Sequence, residues 1–195
     1  ITNGTSASSN NSNTDSGAVY VYRRDNSTWV QEAYIKAVEN GASDNFGYSL
    51  SLNGDTLVVG VYKEDSNQTS ITNGTSASSD NSNTDSGAVY IYKRSGSSWA
   101  QEAYIKAANN DASDNFGYSV TLHADTLAVG APGEDSNQTS ITNGTSASDD
   151  DSNSASGAVY IYKRSGTTWA QEAYIKAVNN DASDNFGNSV SLNGN

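Results

Sequence analysis

The sequence predicts an all-β protein assembled from repeated four-stranded antiparallel units. Three observations predict it. The segment ITNGTSAS opens at Ile1, Ile71 and Ile141, so the chain repeats every 70 residues. Within each copy apolar and polar residues alternate at the period of a strand. No stretch carries the 3.6-residue apolar period of a helix. At this repeat length each copy is one supersecondary unit, which must bury its faces against its neighbours.

The copies align on Asp-Asn-Phe-Gly, at Asp44, Asp114 and Asp184. Residues 1–43 then form the second half of a unit, 44–113 and 114–183 are complete units, and 184–195 begin another. The chain reads as a segment of a longer array, about three units of it.

In the first predicted strand Phe46, Tyr48, Leu50 and Leu52 alternate with Gly47, Ser49 and Ser51. Asn53-Gly54 follows, the dipeptide of a type I′ hairpin turn. The second copy has the poorer turn former His123-Ala124, and the third returns to Asn193-Gly194. The second strand, Thr56 to Val61 or Thr126 to Ala131, is apolar on both faces, as in a sheet covered on both sides. Gly60 and Gly130 leave room there for a close neighbour. Pro132-Gly133 ends that strand in the second copy.

A long polar loop runs from Glu64 to Ser86, with Ile71 its one sizeable apolar residue, and recurs from Glu134 to Ser156. The third strand, Gly87 to Arg94, points Val89 and Ile91 one way and Tyr90 and Tyr92 the other. The fourth, Trp99 to Ala107, is expected to place Trp99, Gln101, Ala103 and Ile105 on one face and Glu102, Tyr104 and Lys106 on the other. Its mixed polarity marks it as the outer edge strand.

Composition narrows the function. A net charge of −12 with only 10 Lys and Arg excludes a nucleic-acid partner, because no basic patch can replace counterions. The absence of Cys excludes disulfides, thiolate metal sites and Cys nucleophiles. No apolar run is long enough to span a bilayer. The abundance of Ser, Asn, Thr and Gly points to an exported protein, extracellular or at the cell surface.

Two triplets of oxygen donors precede a glycine: Asn11, Asn13 and Asp15 before Gly17, and Asn81, Asn83 and Asp85 before Gly87. Alternating donors of this kind suit Ca²⁺. The same residues also serve ordinary Asx turns. The third copy has Ala155 in the last position, with Asp149 to Asp151 upstream. Glu64-Asp65 and Glu134-Asp135 are further carboxylates at the other end of each loop. Asn3, Asn10, Asn26, Asn67, Asn73, Asn137 and Asn143 head Asn-x-Ser/Thr sequons, the acceptor pattern for glycosylation.

Nothing in the residues points to an enzyme. His123 is the sole histidine and sits at a turn. Glu32, Glu102 and Glu172 occur once per unit, too dispersed for paired carboxylate work. They read as solvated charges of the edge strand. Trp29, Trp99 and Trp169 sit at strand spacing, which favours packing over a carbohydrate platform.

The pattern Phe-Gly-x-Ser-(Val/Leu), then a hairpin, then Gly-Ala-Pro resembles the FG-GAP repeat, the blade motif of integrin α-chain propellers and many bacterial surface proteins. The matching residues are Phe46-Gly47, Phe116-Gly117 and Phe186-Gly187, with Gly130-Ala131-Pro132 for the second half. Ser86 to Tyr90 matches the Ser-Gly-Ala-Val-Tyr strand of bacterial members. The first copy departs with Gly60-Val61-Tyr62. The resemblance implies four-stranded blades of a β-propeller. In that family an Asp-rich metal loop interrupts the first hairpin. Here Asn53-Gly54 closes that hairpin, so the family's metal site does not carry over.

The function expected is a non-enzymatic extracellular repeat module, presenting long loops to a glycan or protein ligand or for adhesion. One alternative is a fibre or stalk whose partners are neighbouring repeats or identical chains. Another is a propeller attached to an enzyme.

Overall fold

The computed structural model describes residues 1–193. These contain 13 strands and no helix, so the chain is all-β as expected, and no helix is available to cross a membrane. Strands β1 (Thr2–Asn3), β2 (Val19–Asp25) and β3 (Thr28–Ile35) form one antiparallel sheet in the order β1-β3-β2. Strands β4 (Ser49–Asn53), β5 (Thr56–Val61), β6 (Ile71–Asn73), β7 (Ala88–Ser95) and β8 (Ser98–Ile105) form a second, ordered β4-β5-β7-β8-β6. Strands β9 (Ser119–His123), β10 (Thr126–Ala131), β11 (Ile141–Asn143), β12 (Ala158–Ser165) and β13 (Thr168–Ile175) repeat that order in a third.

The complete sheets therefore have five strands rather than the expected four. The extra strand is β6, or β11, which lies inside the long polar loop. Ile71, Thr72 and Asn73 pair with Ile105, Tyr104 and Ala103. Consequently β8 is not the outer edge. It is covered on both sides, by β7 and by β6.

The expected alternation along β8 also fails, for an identifiable reason. Ile91 pairs with Ala103 but Tyr92 pairs with Gln101, so Glu102 is an extra residue in a β-bulge. Residues directly opposite one another share a face. Trp99, Gln101 and Tyr104 thus join Tyr90 and Tyr92, while Ala103 and Ile105 join Val89 and Ile91. The same bulge recurs at Glu32 and Glu172.

The first hairpin turn differs as well. Asn53 pairs with Thr56, so the central residues are Gly54-Asp55 and not Asn53-Gly54. Gly54 has φ +57° and Asp55 does not share the positive sign, the pattern of a type II′ turn. Ala124 occupies the same position with φ +51°. The predicted Asn193-Gly194 turn lies partly outside the described residues.

Sorting the faces this way explains the core. The rings of Tyr90, Tyr92, Trp99 and Tyr104 pack on Val19, Val21, Ala33 and Ile35 of the sheet before. The rings of Tyr160, Tyr162, Trp169 and Tyr174 pack on Val89, Ile91, Ala103 and Ile105. Truncating one buried ring of this kind costs about 3–5 kcal/mol.

The recurrent motif locks successive sheets together. Phe46, Phe116 and Phe186 bridge to Gly17, Gly87 and Gly157 of the preceding repeat. Phe116 then stands edge-on to Tyr160 and Tyr162, with ring centroids 5.3 and 6.1 Å away. Ser49 Oγ donates to the Gly117 carbonyl at 2.7 Å, and Ser119 Oγ to that of Gly187 at 2.7 Å. A side chain at Gly60 would collide with the same Gly117 carbonyl, and one at Gly130 with that of Gly187. The neighbour expected at these glycines is the next repeat's backbone.

Candidate functional site

The feature that recurs beyond the sheets is the long loop, and its base is built around a buried ion pair. The loop leaves β5, crosses to the outer edge, adds β6 and returns to β7. At its base Lys106 Nζ donates to Glu64 Oε2 at 2.7 Å and to Ser86 Oγ at 2.8 Å. Tyr104 Oη donates to Glu64 Oε1 at 2.8 Å. Ser86 Oγ donates in turn to the Ser66 carbonyl at 3.0 Å. The Lys106 side chain is 0% exposed and that of Glu64 4%. Burial draws the Lys106 ammonium below its ordinary range, and the Glu64 carboxylate opposes that shift. Lys176, Glu134, Tyr174 and Ser156 repeat the arrangement.

Amide side chains fasten the rest of the loop. Gln101 Nε2 donates to the carbonyls of Gly74 and Ser76 at 3.2 and 3.0 Å. Asn110 Nδ2 donates to the Ser66 carbonyl at 2.9 Å. Gln171 and Asn180 do the same in the next repeat. Sequence reasoning missed these anchors. The signal for them was the recurrence of Glu64 with Lys106 as Glu134 with Lys176, one full period on.

The predicted oxygen donors sit on this loop. Asn11 and Asn81 are exposed. Asn83 donates its amide to the Asn110 carbonyl at 2.8 Å, and Asn13 donates likewise to Asn40. Asp15 and Asp85 adopt φ +52° and +54°, with Ala155 at +50°. Asp65 Oδ1 accepts from the Asp85 backbone N–H at 2.7 Å, and Asp135 accepts from that of Ala155. Glu64 and Glu134 face inward to their lysines rather than towards the triplets. Among the described residues no group of three or more His, Cys, Asp or Glu side chains is placed to hold a metal.

The sequence profile of the FG-GAP repeat matches residues 29–92 and 99–147, more than half of the chain. The chain belongs to the FG-GAP repeat family. No curated protein matches it.

In this FG-GAP protein the sequon asparagines Asn3, Asn10, Asn26, Asn67, Asn73, Asn137 and Asn143 all occupy exposed positions. Two of them also tie sheets together. Asn3 Oδ1 accepts from the Trp99 backbone N–H at 2.8 Å, and Asn73 Oδ1 from that of Trp169 at 2.8 Å. Asn137 Nδ2 donates to Ser152 Oγ at 2.7 Å.

Two of the bulge glutamates, Glu32 and Glu102, are not solvated edge charges, whereas Glu172 is exposed as expected. Glu102 accepts from Trp169 Nε1 at 2.9 Å and pairs with Arg164 at 3.3 Å. Glu32 pairs with Arg94 at 3.2 Å. They join one repeat to the next. Trp99 and Trp169 are buried between sheets, while His123 ends β9 at an exposed position. Each Asp that opens the Phe-Gly segment is the anchor of a tight turn. Asp44 accepts from the Gly41 backbone N–H at 2.8 Å and Asp114 from that of Asp111 at 3.1 Å. Burial pushes Asp44 up to about 6. It pushes Asp114 up to about 8, against the Asp111 N–H, and the negative Glu134 nearby adds to the rise.

Proposed function

We propose that this FG-GAP chain is a non-enzymatic, extracellular module of β-propeller blades whose long loops present a surface for adhesion or for a glycan or protein ligand. The observation that carries the reading is the anchored loop. A buried ion pair, a serine and two amides hold the base of each of the two complete loops, while Thr75, Ser76 and the run from Ser79 to Ser82 are exposed. A rigid scaffold with recurrent ordered loops is the usual division between support and recognition. The test replaces residues 75–82 and 145–152 by Gly-Ser linkers and screens parent and variant against glycans, matrix proteins and cells. Binding that the folded variant loses supports the reading. Binding that survives the replacement, or none by the parent, removes it.

Calcium at Asn11, Asn13 and Asp15 or at Asn81, Asn83 and Asp85 rests on the alternation of oxygen donors. Heat on calorimetric titration with a raised melting temperature supports it, and silence in both removes it.

The second reading, a fibre or stalk of stacked repeats, rests on the way the ring face of one repeat is buried under the aliphatic face of the repeat before it. The ring face of the first sheet is uncovered: Tyr20, Tyr22 and Trp29 are 47%, 53% and 68% exposed. Their counterparts in the other two sheets are buried under an aliphatic face. Filaments under the electron microscope that Trp29→Glu abolishes support stacking. Monomers at every concentration contradict it.

A further inference from the structure

The first and second repeats differ at one place in a way that brings three tyrosines together. Where the second repeat has Pro132-Gly133, the first has Tyr62-Lys63. Tyr62 meets Tyr48 and Tyr118, each of which follows the Phe-Gly pair of its own repeat. The ring centroids are 4.3 Å apart for Tyr48 and Tyr62, 5.0 Å for Tyr48 and Tyr118, and 5.4 Å for Tyr62 and Tyr118. Lys63 Nζ lies 5.6 Å from the Tyr62 centroid. The third repeat has Asn188 in the corresponding position, so the cluster occurs once.

These rings are not part of the core. Tyr48 is 49% exposed, and Tyr62 and Tyr118 are half-buried. The Tyr118 hydroxyl pushes the Tyr48 phenol up to about 12. The chain has 12 tyrosines but no cysteine and no methionine. It therefore lacks the sulfur side chains that oxidants usually consume, and it has no disulfide to staple a hairpin. The separation of Tyr48 and Tyr62 is close to two ring radii plus one carbon–carbon bond.

We propose that this cluster is a tyrosine-coupling site, at which one-electron oxidation joins Tyr48 to Tyr62 through the ring carbons ortho to their hydroxyls. The oxidant is of the haem-peroxidase class, supplied with hydrogen peroxide. Each phenol gives up one electron and its hydroxyl proton and becomes a phenoxyl radical. The two radicals combine in a new carbon–carbon bond. Each linked carbon then loses its hydrogen as a proton, and each oxygen takes up a proton from water, which restores both phenols. The product is two hydrogens lighter, and one peroxide becomes two waters. Tyr48 precedes β4 and Tyr62 follows β5, so the bond closes the open end of that hairpin. Tyr118 acts as a positioning residue that holds the Tyr48 ring from the next repeat.

The test oxidises the whole chain, dilute, with a haem peroxidase and hydrogen peroxide. The readouts are dityrosine fluorescence and tryptic mass. Both tyrosines fall in residues 37–63, between Lys36 and Lys63. The expected result is monomeric protein with dityrosine fluorescence, a 37–63 peptide lighter by two hydrogens, and a raised melting temperature. Tyr62→Phe, which keeps the ring, should lose that fluorescence and that mass change. Tyr118→Asn, which copies the third repeat, should reduce both. Tyr20→Phe with Tyr22→Phe should leave them unchanged. Coupling that maps to Tyr20 or Tyr22, that appears only in oligomers, or that persists in Tyr62→Phe would overturn the proposal. So would oxidation that stops at Trp29.

Discussion

Lys106→Met tests whether the loop is held from below. The substitution keeps the unbranched stem and removes the ammonium. In the parent that ammonium lies 2.7 Å from Glu64 Oε2, with both side chains essentially out of contact with water. Without it the carboxylate stays buried with only Tyr104 Oη and the Ser66 N–H as donors. Breaking a buried pair from one side costs about 3–5 kcal/mol. At a urea slope of about 1–3 kcal/mol per molar, a loss of that size moves the midpoint by about 1 M or more. Glu64→Gln should also destabilise, because it leaves Lys106 charged against Ser86 alone. The double variant removes both charges, and the new amide oxygen can still accept from Tyr104. It should therefore recover much of the loss, giving a coupling energy of about 2 kcal/mol or more. Repeats can open locally, so amide exchange across residues 66–86 should accelerate in the single variants and recover in the double. Single costs that simply add, or a Lys106→Met midpoint equal to the parent's, would refute the reasoning.

Three further outcomes are expected. Ala124→Gly should gain about 1 kcal/mol by relieving a left-handed alanine at φ +51°, and an unchanged melting temperature counts against it. Gly60→Ala should cost about 1–3 kcal/mol because its methyl meets the Gly117 backbone, which cannot swing aside. Full stability by urea unfolding would show that the sheets can part without loss. Asp114→Asn should separate from the parent as pH rises. The folded-state value of Asp114 lies above its ordinary 3.8, at about 8, so its contribution is complete below pH 4 and lost as pH climbs through 8. The asparagine variant should thus be the more stable at pH 9 by a few kcal/mol, at about 1.4 per unit, and a flat difference between pH 5 and 9 contradicts the burial argument.

Much of this could be read from the residues because local rules carried it. Val89 and Ile91 against Tyr90 and Tyr92 is a plain alternation, and both faces proved covered. Gly60 and Gly130 signalled a close neighbour because nothing else explains glycine inside a strand of Leu, Val and Ala. What escaped depended on partners far along the chain. Glu64 and Lys106 are ordinary surface charges until the fold brings them together. The strand Ile71–Asn73 has only three residues and pairs through its backbone, so Ser, Thr and Asn around it gave no apolar signal. The bulge at Glu102 inserts one residue without any change in composition, and it turned Trp99 and Gln101 to the opposite face from Ala103 and Ile105. Tyr62-Lys63 was visible as a departure from Pro132-Gly133. Its meaning required Tyr48 and Tyr118 to arrive beside it.

The division of each sheet into a side of rings and a side of branched aliphatics gives the stack a sense of travel. Rings always look back along the chain, and aliphatics look forward. Two copies meeting ring side to ring side would lose that complementarity, so a two-fold pair is not what these surfaces favour. Any joining of molecules through them runs front to back, and such a chain of contacts either bends round to meet its own start or goes on extending.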